Sequence, residues 1–175
     1  MKKEIILIAA ISDLYGKRVI GKENKLPWHF NEDLRRFREL TLNKPIIYGK
    51  NTALSIYSEK GSLLPKRYNL IVSKTLNEEF FKEDKEKNIY FKIFKDLESA
   101  INFAFEINSS VYIAGGQQIF EQTINLPLTS RLEISEIKEN FEGDCFFPPI
   151  DLTWVLSERK ESEKINFLTY KRILF

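Results

Sequence analysis

Short apolar runs alternate with amphipathic segments along the first two-thirds of this 175-residue chain. The apolar runs predict strands at residues 4–11, 45–48, 68–72, 89–94 and 111–114. The amphipathic segments predict helices at 31–42, 51–57, 96–107 and 117–124. Continuous apolar strands separated by helices are typical of βαβ units, so this order predicts a mostly parallel α/β sheet covered on both faces.

The last third of the chain has a different pattern. Residues 131–138, 153–161 and 166–175 have the pattern of longer strands, and the last two alternate around a polar connection. Such a pair is typical of an antiparallel hairpin, so the sheet is expected to be mixed. Residues 12–30 have no clear period and contain Gly16 and Gly21, which favours a lid or a binding loop.

Composition narrows the classes of function. Hydrophobic residues make up 43% and charged residues 30% of the chain, which favours one globular domain spanning 1–175. A net charge of +2 without a basic block argues against nucleic-acid binding. The apolar run at residues 5–11 is too short for a membrane span and fits a first strand better than a signal peptide.

The chain has a single cysteine and a single histidine, which limits its chemistry. Cys145 alone forms no intramolecular disulfide, which fits a reducing cytoplasm and predicts a structural or surface thiol. His29 alone cannot complete a Cys/His metal site, and no Gly-x-Ser-x-Gly elbow accompanies it. The sequence therefore predicts no metal and a reaction that needs an organic cofactor.

Asp33 is the carboxylate with the most distinctive setting. Asn31 is predicted to cap a helix with Asp33 in its first turn, where a helix-dipole role is the simpler interpretation. The neighbours on its side of the helix are apolar, and an acid against apolar walls has a perturbed proton affinity. The charged residues of this helix are expected on the opposite face: Arg35, Arg36, Arg38 and Glu39.

Two strand-to-helix turns could bind phosphate. Gly115 and Gly116 separate a predicted strand from a predicted helix, and Gly49 and Lys50 do the same earlier in the chain. Helix N-termini attract anions, although ordinary turn chemistry would also place glycine there, and G-x-G-x-x-G is absent. Because parallel strands end at one edge of a sheet, the two turns together predict a dinucleotide site.

Two further side chains remain ambiguous from the residues alone. Ser135 lies in an apolar strand, where its hydroxyl could be satisfied in the core or serve a buried carboxylate. Arg67 follows Leu64 and Pro65 and could bind a carboxylate with two parallel hydrogen bonds or simply be solvated.

Together these segments resemble the dihydrofolate reductase family almost from end to end. The motifs that carry the resemblance include Leu26-Pro27-Trp28, Asp33-Leu34 with Phe37, Leu64-Pro65 with Arg67, Gly49-Lys50-Asn51-Thr52, Ala114-Gly115-Gly116 and Glu142-Gly143-Asp144. The resemblance implies a three-layer fold with a central eight-stranded mixed sheet, about four flanking helices and an adenosine-binding subdomain at about 44–107. It also implies a cytoplasmic monomer that reduces 7,8-dihydrofolate with NADPH and binds antifolate inhibitors.

The resemblance also implies roles for the pterin site. Asp33 would bind the 2-amino group and the ring N–H of the pterin, with Ser135 and a water beside it. Trp28 would hold the catalytic water, and Leu26 would close over the nicotinamide. The substrate would contact Ile8, Ala10, Leu34, Phe37, Ile56, Leu64 and Arg67, the last through its glutamate carboxylate.

For the cofactor, the resemblance implies a cis peptide between Gly115 and Gly116 and phosphate contacts from Lys50, Thr52 and Lys74. The remaining cofactor contacts would come from Ala10, Ile20, Gly21, Asn24, Gly49, Asn51, Ser73, Ala114, Gln117, Gln118, Ile119 and Phe120. Several features depart from the family pattern. Gln118 replaces a basic residue of some members, Lys66 replaces a frequent glycine, and the loop 57–63 is longer than in compact bacterial members. A pyrimidinone reductase on the same fold, or a non-catalytic nucleotide-binding module, is the alternative interpretation.

Overall fold

The computed structural model describes residues 1–173, and this part of the chain contains ten strands and five α-helices. The strands are β1 Glu4–Ser12, β2 Val19–Gly21, β3 Pro45–Gly49, β4 Tyr68–Val72, β5 Phe91–Phe94, β6 Ser110–Ile113, β7 Thr129–Ile137, β8 Cys145–Phe146, β9 Trp154–Glu161 and β10 Ile165–Arg172. The helices are α1 Asn31–Thr41, α2 Lys50–Lys60, α3 Lys82–Glu86, α4 Leu97–Ile107 and α5 Gln117–Thr123.

Eight of the strands form one continuous path in the order β5-β4-β3-β6-β1-β7-β10-β9. Every pair from β5 to β7 is parallel, and β10 pairs antiparallel with both β7 and β9. The predicted mixed sheet and its C-terminal hairpin are therefore confirmed. Two short strands were not predicted: β2 pairs antiparallel with the end of β1, and β8 pairs with β2.

Helices cover both faces of the sheet, as continuous apolar strands require. On one face, α4 and α5 pack Ala104 and Phe120 against strand residues such as Leu7. On the other face, α2 packs Ala53 against strand residues such as Ile6. Neighbouring residues of β1 thus point into different cores, which gives the three-layer arrangement.

The unperiodic segment 12–30, here called the lid, contains β2. The lid begins where β1 ends, and Ser12 is paired with Val19. Three residues are too few to display an alternating pattern, so this strand has no detectable signal in the sequence. The strand nevertheless fixes the lid beside the carboxyl end of β1.

Several helix ends differ from the predictions. The first helix begins at Asn31, so the cap position belongs to the extended Phe30 and the predicted Asn31 cap is wrong. Asp96 caps α4, since its carboxylate accepts a 2.8 Å hydrogen bond from the Ser99 amide. Helix α2 continues to Lys60 and ends at Gly61 with φ 69°, so the first part of the expected loop 57–63 is helical.

The remaining differences are short. Strand β5 begins at Phe91 rather than at residue 89, and β9 begins at Trp154. Helix α3 was missed because all five of its residues are charged and give it no apolar face. Strand β10 ends at Arg172, and the predicted continuation to residues 174–175 lies outside the described residues.

Candidate functional site

A cavity of about 1120 Å³ opens at the carboxyl ends of the central parallel strands. Its walls come from β1, β7 and β8, from α1, α2 and α5, from the chain after β4 and β5, and from the lid. The cavity brings together all but two of the predicted site residues: Ile8, Ala10, Ile20, Gly21, Asn24, Leu26, Asp33, Leu34, Phe37, Gly49, Lys50, Asn51, Thr52, Ile56, Leu64, Ser73, Lys74, Ala114, Gly115, Gly116, Gln117, Gln118, Ile119, Phe120 and Ser135.

Asp33 occupies one end of this cavity, in the first turn of α1. Burial raises the pKa of its carboxyl group above the usual value, and the charge of Glu32 acts in the same direction. The Ser135 hydroxyl, through a hydrogen bond, and the positive charge of Arg36 both lower that pKa without cancelling the effect of burial. A carboxyl with a raised pKa in a cavity is a typical feature of functional sites.

Arg36 lies beside Asp33 rather than on the outer face of α1, so the prediction of its position is wrong. Its Nη2 atom lies 2.6 Å from Oε2 of Glu133 on β7, and its guanidinium lies 5.2 Å from the centre of the Phe167 ring. With these contacts, the Arg36 side chain lies on the inner side of α1 and forms part of the cavity wall. Residues three apart on a helix share a side, so Arg36 and Asp33 face the same region.

The two glycine turns meet at the other end of the cavity. The amide of Gly49 donates a 3.0 Å hydrogen bond to the carbonyl of Gly115, so the turns before α2 and α5 are directly joined. The peptide between Gly115 and Gly116 is cis, as the family resemblance implied. A Cβ atom at Gly115 would lie 3.4 Å from both Thr52 Oγ1 and the Phe120 ring, at a φ of 121°. The backbone here is accessible only because side chains are absent.

Several lysines surround these turns. Lys50 opens α2 and its Nζ atom donates a 2.8 Å hydrogen bond to Thr75 Oγ1, while Lys74 and Lys95 line the same part of the cavity. Sequence reasoning missed Lys95. The signal was available, because Lys95 directly follows β5 just as Lys74 closely follows β4, and parallel strands end at one edge.

The lid lies against the loop that precedes β8. The Glu23 amide donates a 3.0 Å hydrogen bond to Asp144 Oδ2, and the Asp144 amide donates one of the same length to the Gly21 carbonyl. A Cβ atom at Gly143 would collide with the Val19 side chain and the Gly21 carbonyl. This closeness fixes the lid where its Leu26 side chain reaches the cavity.

Trp28 is one of the two predicted site residues that do not line the cavity. Its side chain is buried, packs against Phe141 with ring centres 5.4 Å apart, and joins the cluster around Val19 and Ile165. Its indole Nε1 is buried without a hydrogen-bond partner among residues 1–173. A buried donor without a protein partner is a position where an ordered water commonly binds.

Arg67 is the second residue outside the cavity lining, three residues beyond Leu64, which does line it. Its side chain is only 7% exposed, and its Nε atom has no hydrogen-bond partner in the described part of the chain. No carboxylate among residues 1–173 forms an ion pair with it. Burial lowers the pKa of Arg67, and the nearby charge of Arg38 lowers it further.

Cys145 lines the cavity, although the sequence predicted only a structural or surface thiol. It pairs with Gly21 between β8 and β2, and burial raises the pKa of its thiol with a further contribution from Asp144. The pairing of two strands this short gave no signal in the sequence. The other cavity residues that were not predicted are Ala9, Lys25, Arg36, Ser55, Glu59, Lys60, Val72, Thr75, Lys95, Asp96, Leu97, Glu121 and Gln122.

The fold and the cavity define an α/β protein with a buried acid at one end of its site and two joined helix N-termini at the other. The family model for dihydrofolate reductase matches residues 4–173. The chain therefore belongs to the dihydrofolate reductase family of oxidoreductases. None of the helices formed by residues 1–173 has the length and apolar character needed to cross a membrane.

Curated relatives agree with this assignment over most of their length. The dihydrofolate reductase of Haemophilus influenzae is 36% identical over 154 residues, which cover 88% of this chain and 81% of that protein. Dihydrofolate reductase type 3 of Salmonella typhimurium is 33% identical over 175 residues, covering 95% and 99%. Dihydrofolate reductase HdrB of Haloferax volcanii is 31% identical over 173 residues, covering 95% and 82%.

Proposed function

We propose that this protein reduces 7,8-dihydrofolate to 5,6,7,8-tetrahydrofolate with NADPH as the cofactor. The observation that carries the proposal is the placement of Asp33 in a cavity shared with the joined Gly49 and Gly115 turns. One end of that cavity offers an acceptor for a flat heterocycle with adjacent N–H donors. The other end offers backbone and lysines to a phosphate-bearing ligand.

Asp33 would fix the pterin ring. Its two carboxylate oxygens accept hydrogen bonds from the 2-amino group and the neighbouring ring N–H, as a bidentate acceptor does for a guanidinium. Leu34 and Phe37 on the same helix, with Ile8 on β1, supply apolar walls for the ring and the benzoyl group. This pairing orients the ring and favours the electron-poor state that accepts a hydride.

The residues at the glycine turns fit a nicotinamide dinucleotide. A side chain at Gly115 would crowd Thr52 and Phe120, so the turn leaves room for a ligand against the backbone. Lys50, Lys74 and Lys95 offer positive charge to the phosphates, including the 2′-phosphate that distinguishes NADPH. When bound, this cofactor supplies the hydride that C6 of the pterin receives.

The proton for N5 would arrive through water. Asp33 orients the ring through its far edge, so a water held by nearby groups is the more economical donor. Ser135 offers a hydroxyl beside Asp33, and the unpartnered Nε1 of Trp28 offers a buried donor. In this arrangement Asp33 polarises the substrate and the water relay delivers the proton.

Two further side chains complete the proposal. Leu26 lies on the lid at the cavity mouth, where its side chain is 40% exposed without a ligand. From this position it would cover the reacting atoms and exclude water. Arg67 would bind the glutamate α-carboxylate of the substrate, which would give this buried guanidinium the partner that residues 1–173 do not provide. Antifolate binding, the adenosine-binding subdomain at 44–107, the monomeric state and the cytoplasmic location stay predictions.

The proposal is tested by following absorbance at 340 nm with the purified protein, dihydrofolate and either NADPH or NADH. We expect oxidation of NADPH that depends on dihydrofolate, with a lower kcat/KM for NADH. Oxidation that starts only when a ribosylated aminopyrimidinone replaces dihydrofolate would assign the protein to the pyrimidinone reductases instead. Tight cofactor binding without turnover of either substrate would make it a binding module.

A further inference from the structure

The cavity wall beside Asp33 contains a buried ion pair that the reaction described above does not use. Arg36 and Glu133 approach to 2.6 Å, with side-chain exposures of 20% and 5%. Thr169 on β10 donates a 2.8 Å hydrogen bond to the same Glu133 oxygen. A charge pair this buried costs desolvation free energy, so its position beside Asp33 needs an explanation.

The guanidinium of Arg36 is fixed on two sides. Glu133, which accepts a hydrogen bond from Thr169, contacts one edge of the guanidinium, and the centre of the Phe167 ring lies 5.2 Å from the central carbon. A fixed guanidinium exerts a directed electrostatic effect on its neighbours, whereas a mobile surface arginine is screened by solvent. Arg36 therefore presents its positive charge at a set position, one helical turn from Asp33.

The other groups described around Asp33 do not place a second positive charge beside it. Glu32 on the same helix opposes ionisation of Asp33, and the segment of β1 in this wall offers only the apolar Ile8, Ala9 and Ala10. Ser135 on β7 contributes a hydroxyl and no charge, and Lys25 lies in the lid part of the cavity wall. Among residues 1–173, Arg36 is thus the cation that stabilises the Asp33 carboxylate.

We propose that Arg36 is a positioning residue of this active site, whose guanidinium, fixed by Glu133 and Phe167, keeps Asp33 in the charged form that binds the pterin. The role of Asp33 in this statement rests on the function proposed above. The electrostatic coupling between the two side chains does not, because it exists in the protein without any ligand.

Arg131 provides a matched control. Its Nε atom lies 3.5 Å from the other oxygen of Glu133, so it is a second cation on the same carboxylate. It is absent from the groups that shift the pKa of Asp33. Replacing Arg131 with methionine therefore disturbs the same buried acid and leaves the charge beside Asp33 in place.

The primary experiment is a pH titration of the Asp33 carboxyl carbon by ¹³C NMR in the ligand-free protein, with Asp33→Asn identifying the signal. We expect Arg36→Met to move the midpoint to higher pH, because the carboxylate loses its nearby cation. Arg36→Lys should restore most of the wild-type midpoint, and Arg131→Met should leave it unchanged. The double variant Arg36→Met/Glu133→Gln avoids a buried acid that has lost its nearest cation and serves if the single variant folds poorly. Its midpoint should also move to higher pH, by a smaller amount because a negative charge is removed as well.

The inference is overturned by an unchanged midpoint in the two Arg36→Met proteins, by an equal shift in Arg131→Met, or by an Arg36→Lys protein that behaves like Arg36→Met. A second readout is the Kd for dihydrofolate across pH, which should begin to weaken at a higher pH in Arg36→Met as the pH is lowered. A shifted carboxyl in a protein that does not reduce dihydrofolate would contradict the proposed function and leave the coupling intact. An enzyme that reduces dihydrofolate, but whose Asp33 titration does not shift in the Arg36→Met proteins, would support the proposed function and contradict the coupling.

Discussion

The two ends of the cavity offer different kinds of groups to a polar ligand. At the Asp33 end, one half-buried acid lies among mostly apolar side chains with Arg36 and Ser135 beside it, and burial raises the pKa of its carboxyl group. At the end with the glycine turns, the groups offered to a ligand are backbone and several exposed lysines, including Lys50, Lys74 and Lys95. The first end depends on one side chain, whereas the second distributes its function over many groups.

This difference sets the expected size of mutational effects. Interactions in a low-dielectric site are strong and lack substitutes, while exposed charges are screened and partly replace one another. We therefore expect large effects at Asp33 and Arg67, an intermediate effect where the lid joins the two ends, and a small effect at any one lysine.

The largest effect is expected for Asp33→Asn. An amide keeps the shape of the carboxyl group but offers one acceptor and a misplaced donor to the pterin. We expect hydride transfer near neutral pH to fall about 10²- to 10⁴-fold, measured in single-turnover absorbance at 340 nm. The Kd for NADPH should stay close to wild type. Turnover near the wild-type rate would show that the reaction does not need Asp33. The Asp33 end would then not depend on one side chain, and the contrast between the two ends would be wrong.

The same variant should be more stable than the wild-type protein. Because burial raises the pKa of Asp33, the folded state keeps this proton at pH values where the unfolded chain has lost it. Stability therefore falls as the pH rises through that window, and the ionised acid is a cost at neutral pH. We expect a higher Tm for Asp33→Asn at pH 7. The gain should vanish below the unfolded pKa, where both states are protonated, and a lower Tm at pH 7 would refute this reasoning.

Arg67→Gln is expected to have the second largest effect. A charge-assisted bond from a buried guanidinium to a carboxylate contributes roughly 1.5–3 kcal/mol, so KM for dihydrofolate should rise about 10- to 100-fold with little change in kcat. Arg35→Gln, which changes an exposed arginine of α1, is the matched control and should leave KM unaltered. Equal KM values in both variants would place the substrate carboxylate elsewhere.

The sequence predicted the parallel part of the fold well because strands buried on both faces are continuous apolar runs, as in Ile46 and Ile47 of β3. It also located both glycine turns, since the rule that parallel strands end at one edge needs no tertiary detail. Short elements such as β2 and β8 were missed, because two or three residues carry no measurable period.

Side-chain directions that depend on distant partners were the other failure. Arg36 belongs by local pattern to the charged face of α1, and only Glu133, which lies 97 residues later, turns it inward. Cys145 enters the cavity wall because β8 pairs with a lid strand that was itself invisible in the sequence. Lys66 adopts a left-handed φ of 57°, a conformation that favours glycine, which the sequence pattern around this lysine did not indicate.

An intermediate effect is expected for Gly143→Ala. The added methyl group would collide with Val19 and the Gly21 carbonyl, so the lid must move away from the loop before β8. A displacement of this kind should slow hydride transfer roughly tenfold or more while the overall fold remains. Gly16→Asn is the matched control, since no atom lies within 4 Å of a Cβ there and asparagine tolerates its φ of 74°. Equal rates in the two variants would mean that the lid position does not matter for the reaction.

The smallest effect is expected for Lys50→Ala. The ammonium group is exposed and bonded to Thr75 Oγ1, so its contribution to phosphate binding is screened. We expect the Kd for NADPH to weaken about 2- to 5-fold and the Kd for NADH to change less, with the difference shrinking at high salt. Lys82→Ala, on α3 and outside the cavity, should change neither Kd. Equal losses for both cofactors would place the 2′-phosphate elsewhere. A loss for NADPH as large as that of Arg67→Gln for dihydrofolate would show that this end of the cavity also depends on one side chain.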